Sequence, residues 1–86
     1  RMNQEVALAN QEVRRVLERV RALPFKKVTE VYPDGQEIVI PSLPEGVITT
    51  SYEDPAADPL MLQVVVTWNS PDLGSISRTF ATVMTE

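Results

Sequence analysis

The patterning of this 86-residue chain predicts an α+β domain: an N-terminal amphipathic helix packed on an antiparallel sheet of about four to five strands. Two observations carry that prediction. Apolar residues recur at alternating spacings of three and four over residues 4–23, and beyond Phe25 the period shortens to two, between clusters of Pro, Gly and Asp. One helix followed by a run of hairpin-linked strands is the order of an α+β domain, with the helix lying across one face of the sheet.

Val6, Ala9, Val13, Val16, Val20 and Leu23, with Leu17, form a stripe about 120° wide on such a helix. On the wet side, Glu12 stands near Arg15, and Glu18 near Arg14 and Arg21, at the spacing of helical neighbours. Pro24 ends the helix, because it disfavours helical geometry at Leu23 and cannot continue the hydrogen-bond ladder. The start is weakly signalled. Asn3 is a candidate N-cap, yet Glu5 is one position too early to complete a capping box with it, as expected of a helix that continues upstream.

The β-branched run Val28–Tyr32, the turn Pro33-Asp34-Gly35 and the segment Gln36–Ile40 read as a hairpin. A loop bracketed by Pro41 and Pro44 leads to a strand over Val47–Glu53, and the two prolines of Asp54–Pro59 make an exposed acidic loop. Leu60–Trp68 alternates cleanly, with Leu60, Leu62, Val64, Val66 and Trp68 on the face expected to meet the helix. After a turn over Asn69–Gly74, Ile76–Thr85 closes the sheet, although neither of its faces is cleanly apolar.

Composition excludes more than it assigns. The chain has no His and no Cys, which removes Ser-His-Asp and Cys-His nucleophiles, Cys/His zinc sites and disulfides. Its length leaves room for one domain, 1–86, comprising helix over 1–24 and sheet region over 25–86. No run of about 18 apolar residues is present to span a membrane. The net charge of −4 is unevenly spread: residues 1–30 carry seven bases and four acids, and residues 31–86 carry Arg78 against eight acids. A chain this acidic is a poor partner for nucleic acid. The arginines late in the helix complement its macrodipole.

Candidate chemistry is sparse. Gly35, Gly46 and Gly74 mark turns and form no phosphate-cradling pattern. Glu53, Asp54 and Asp58 offer oxygen ligands for calcium, but their spacing is not that of an EF-hand, and a solvated loop is the simpler reading. Lys26 and Lys27 are candidates for a Ser/Lys pair with Ser42, which would need a desolvated lysine, and nothing in the sequence brings them together. Trp68 reads as a packing residue. Leu8, well away from the stripe between Arg15 and Arg19, is either a solitary exposed leucine or a contact to a neighbouring subunit. No catalytic, cofactor-binding or metal-ligating residue is assigned.

Glu18-Arg19-Val20-Arg21-Ala22-Leu23-Pro24-Phe25 at the helix end, Leu43-Pro44-Glu45-Gly46-Val47, Val64-Val65-Val66-Thr67-Trp68 and Arg78-Thr79-Phe80-Ala81-Thr82-Val83 occur in an order that resembles the soluble domain of type IV minor pilins and type II secretion minor pseudopilins. The resemblance runs from about residue 6 to the end. It implies a pilin-like fold in which residues 1–24 are the C-terminal half of the pilin helix. It also implies a longer precursor, with a leader and an apolar helical half that anchors the subunit in the inner membrane. The implied role is that of a structural minor subunit of the periplasm or cell envelope, not an enzyme, whose partners are other pilin or pseudopilin subunits and which uses no cofactor, nucleic acid or small-molecule substrate. The basic helix and acidic sheet region suggest a dipolar subunit that stacks head to tail. The alternative is a periplasmic or surface protein-binding module unrelated to filaments.

Overall fold

A computed structural model of the chain describes the backbone from Met2 to Glu86 and the side chains from Gln4 onward. Helix α1 covers Met2–Ala22. A 3₁₀ turn, Phe25–Lys27, runs into the single turn α2, Val28–Val31. Strands β1 (Gln36–Ile40), β2 (Gly46–Tyr52), β3 (Leu60–Ser70) and β4 (Gly74–Met84) follow. They form one four-stranded antiparallel sheet in the order β1-β2-β3-β4, a meander in which each strand pairs with its neighbour in sequence. The expected α+β architecture is present, with four strands.

The helix docks as its stripe requires, with one rotation of detail. Ala9, Val13, Val16 and Val20 are buried, and Glu5 is buried in line with them, while Val6, Leu17 and Leu23 pack from the margin. The buried direction is therefore turned toward Glu5, and Leu8 becomes part of the other margin of the core instead of an isolated exposed leucine. Beneath α1, β3 supplies Leu60, Leu62, Val64, Val66 and Trp68, every one buried. Ile76, Phe80 and Met84 settle the orientation of β4, since they pair across to Trp68, Val64 and Leu60 and pack against the same core. Asn3 is already inside α1 and so is not its N-cap; its side chain and all of Arg1 lie outside the described residues.

Pro24 ends α1 as expected: Leu23 N–H donates to Val20 O at 3.1 Å, and the chain leaves the helix at Pro24. The next segment corrects the sequence reading. Residues Val28–Tyr32 are not a strand but α2 and its C-cap, continuing the 3₁₀ turn that Lys27 N–H closes on Pro24 O at 2.8 Å, with Tyr32 N–H donating to Val28 O at 2.9 Å. Phe25, Val28 and Tyr32 sit three and four residues apart, so a helical turn presents all three to the core while Val31 stays exposed at 46%. A strand would have paired Val28 with exposed Glu30 on one face. Burial of the helical set outweighs the weak β preference of Val28, Thr29 and Val31. The turn Pro33-Asp34-Gly35 thus joins α2 to β1.

That turn is bonded to β2. Gly35, with φ of +80°, donates its N–H to Thr50 O at 2.7 Å. Thr50 Oγ1 donates to Pro33 O at 3.1 Å, Tyr52 N–H donates to Asp34 Oδ1 at 2.9 Å, and the Tyr52 hydroxyl donates to Tyr32 O at 2.6 Å. At the opposite end of β1, buried Leu43 plugs the loop, Gly46 N–H donates to Leu43 O at 3.1 Å, and Asn69 N–H donates to Pro44 O at 2.9 Å. A Cβ on Gly46 would stand 2.6 Å from Ile40 Cγ1 and 2.9 Å from Ile40 O, so only glycine fits there.

Gly46→Ala is expected to destabilise the domain by about 1–3 kcal/mol, the cost of forcing a packed site apart, read as a lower urea midpoint at unchanged slope. Burial raises the Tyr52 hydroxyl above its ordinary pKa, with the charges of Asp34 and Tyr32 acting in the same direction. Folding favours the neutral hydroxyl. Its contribution is therefore whole below about pH 10 and is lost as pH rises through the folded-state value. Tyr52→Phe should cost about 1 kcal/mol at neutral pH and flatten the alkaline decline in stability, seen by urea unfolding at stepped pH.

Candidate functional site

The acidic loop does not gather into a metal centre. Asp54 Oδ1 accepts a hydrogen bond from Ala56 N–H at 3.0 Å, and Asp58 Oδ1 accepts one from Glu86 N–H at 3.4 Å. Among the described residues, no group of three or more acidic, His or Cys side chains is placed to hold a metal ion. The Ser/Lys pairing fails on position. Ser42 sits in the β1–β2 loop, which bonds to Asn69 at the far end of β3, while Lys26 and Lys27 follow Phe25, which lies by Met84 at the near end. Lys27 is exposed and bonded to Glu30 at 3.3 Å. No helix among the described residues is long and apolar enough to cross a membrane.

Trp68 is core, as expected, but its polar edge has a partner the sequence reading passed over. Its indole Nε1–H donates to Glu5 Oε1 at 2.8 Å; the tryptophan is 2% exposed and the glutamate 7%. The contact pins the N-terminal part of α1 over the end of β3. The C-terminal part of α1 correspondingly lies over the start of β3 and the end of β4, where Val20, Arg21 and Leu23 meet Met84 and Thr85. Helix and β3 are therefore antiparallel.

This arrangement revises the electrostatic expectation. Arg21, Lys26 and Lys27 occupy the same end of the 42 Å-long molecule as the acidic β2–β3 loop, and the opposite end carries Glu45 and Asp72 in its turns. The division of charge along the chain is not a division between the two ends in space. Three of the arginines gather instead along one flank. Between α1 and β4 runs a groove of about 580 Å³ lined by Val13, Leu17 and Phe80 and flanked by Arg14, Arg21 and Arg78, with Glu18 its only acid. Glu12 and Arg15 close their expected pair at 3.1 Å on the other flank, but Glu18 makes no such pair with Arg14 or Arg21.

The groove exists because α1 lies over β3 and stops short of covering β4. Arg78 points to the helix side of β4, between Ile76 and Phe80, opposite Val66. The sequence held the signal in two places: Arg14 and Arg21 seven residues apart on one side of the helix, and Arg78 in phase with the inward residues of the last strand. Their convergence depends on the helix position, which patterning alone does not give. The opposite face of the sheet is almost free of charge. It carries Val39, Val47, Thr49, Ser51, Met61, Gln63, Val65, Thr67, Ser77, Thr79, Ala81 and Val83, with Glu37 its one charged residue within the strands.

No family model matches the chain, and no curated protein or solved structure is significantly similar to it. The two sides of the molecule thus present a basic, partly apolar groove and a sheet face whose one strand charge is Glu37.

Trp68→Phe should strand the Glu5 carboxylate without its donor and cost about 1–3 kcal/mol or more. Adding Glu5→Leu to that variant should restore part of the loss, because both polar groups are then gone. A double-mutant cycle from urea midpoints measures this coupling.

Proposed function

We propose that this chain is a structural minor subunit of a type IV pilus or a type II secretion pseudopilus. On this reading it works in the periplasm or cell envelope, is held at the inner membrane by a segment that precedes it, and assembles with other pilin-like subunits. It needs no catalytic group, cofactor, nucleic acid or small-molecule substrate. The observation that carries the reading is the 21-residue α1 laid lengthwise along a four-stranded meander by a single stripe, followed by the chain order that resembles minor pilins.

Such a helix has one side occupied by its own sheet, while Arg15, Glu18 and Arg19 remain exposed for contacts with other helices. Heterologous contacts through the exposed side would generate an open filament wherever the rotation between subunits does not close a ring. The outer sheet face, with Glu37 as its one strand charge, is compatible with crowding among subunits. The end-to-end dipole is not part of the proposal, because acids and bases share one end of the molecule.

Reading the codons upstream of Arg1 tests it directly. A short basic leader ending in Gly, then about twenty apolar residues with Glu at the fifth position, is the expected result. A start codon immediately before Arg1 would overturn the assignment. In the full-length protein, Arg15→Glu with Arg19→Glu should reduce co-assembly with sibling subunits several-fold in a pull-down; undiminished assembly would remove the electrostatic part of the proposal.

A further inference from the structure

β4 is an open edge of the sheet, and the inward-pointing Arg78 is the one device of its own that guards it. Natural edge strands are kept short, interrupted by Pro, given charged side chains that include inward-pointing ones, or covered by another element. β4 runs for 11 residues from Gly74 to Met84, contains neither Pro nor Lys, and bears Arg78 as its only charge. Its side away from β3 has no strand partner among the described residues, and α1 lies over β3 beside it. The other edge, β1, is only five residues long.

The groove runs along this same edge, on the helix side. A strand added to β4 would alternate its side chains between two surroundings. Every second residue would enter the groove, with Phe80 and Leu17 as apolar lining and Arg14, Arg21 and Arg78 as donors against the single acid Glu18. The residues between would continue the outer face, which at β4 consists of Ser75, Ser77, Thr79, Ala81 and Val83 and carries no charge.

We infer that β4 takes up, as a fifth strand, an extended segment of another protein whose alternate side chains are acidic and whose intervening side chains are small and uncharged. Main-chain hydrogen bonds along the edge would supply affinity, and the arginine-flanked groove would set register and sign. A second copy of this chain is the poorer occupant. Antiparallel pairing of two β4 strands about Thr79 would bring both copies of Arg78, and with them Arg14 and Arg21 of each, onto one side of the enlarged sheet, where like charges oppose pairing. The inference stands on the edge and the groove and does not depend on the filament reading.

The test is an amide-resolved NMR titration of the ¹⁵N-labelled chain with an eight-residue peptide alternating Glu and Thr. Two further versions carry N-methyl groups on every Glu or on every Thr, and a fourth peptide replaces Glu by Lys. The expected result is saturable shifts centred on residues 74–84, binding weakened tenfold or more in at least one methylated version, and no binding by the Lys peptide. Arg78→Glu and, separately, Arg14→Glu should each weaken binding about tenfold, while Arg15→Glu on the opposite flank should leave it unchanged. Equal binding of all four peptides, or full binding by both methylated versions, would overturn strand addition. So would shifts confined to the arginines, which would indicate capture of a free carboxylate alone, and so would β4 shifts that grow with protein concentration in the absence of peptide, which would indicate self-pairing.

Discussion

The contact between the stripe of α1 and the inner face of β3 organises everything else in the molecule. β3 pairs with β2 on one side and β4 on the other, and its five inward apolar residues form the floor on which the helix rests. Neither layer is sufficient alone. An isolated helix of this length is marginal in water, and a four-stranded meander with one apolar face needs that face covered. The buried Glu5–Trp68 hydrogen bond fixes where along β3 the helix lies, because sliding by one turn would leave a carboxylate and an indole N–H unpaired in the core.

Centring on β3 also produces the asymmetry that gives the surface its character. One helix is too narrow to cover four strands spaced about 4.8 Å apart. On the β1 side the linker closes the remaining gap, with Val28 and Tyr32 buried and the Pro33–Gly35 turn bonded to β2. On the β4 side no equivalent element follows, so Phe80 is half-covered and Arg78 stands in the space left over. The basic groove is thus a by-product of layer geometry, furnished with three arginines from elements far apart in sequence.

Much of this fold was legible from residue spacing. The three-four stripe, the stop at Pro24 and the strict alternation of Leu60–Trp68 each tie one local period to one buried face, and in each the local preference and the tertiary demand agree. The Val28–Tyr32 segment was misread because β-branched residues pulled toward a strand while the spacing of Phe25, Val28 and Tyr32 carried a helical signal too short to stand out. Glu5 was invisible as a core residue because a carboxylate on a stripe is ordinarily a flaw; only the indole 63 positions away explains it. The groove was half legible, in the phases of Arg14, Arg21 and Arg78, and became a site only once the helix had a lateral position.

Because the meander pairs each strand only with its sequence neighbours, the sheet closes through short loops, whereas the link between Glu5 and Trp68 spans 63 residues. The entropy of loop closure therefore falls mainly on the docking of the helix. Sheet and helix differ in the sequence distance to their partners: the strands meet neighbours, whereas the first segment of the chain meets residues far along it. Until it arrives, the row from Leu60 to Trp68 faces water. Whenever the helix is disengaged, that row is the surface of the chain most open to misassociation.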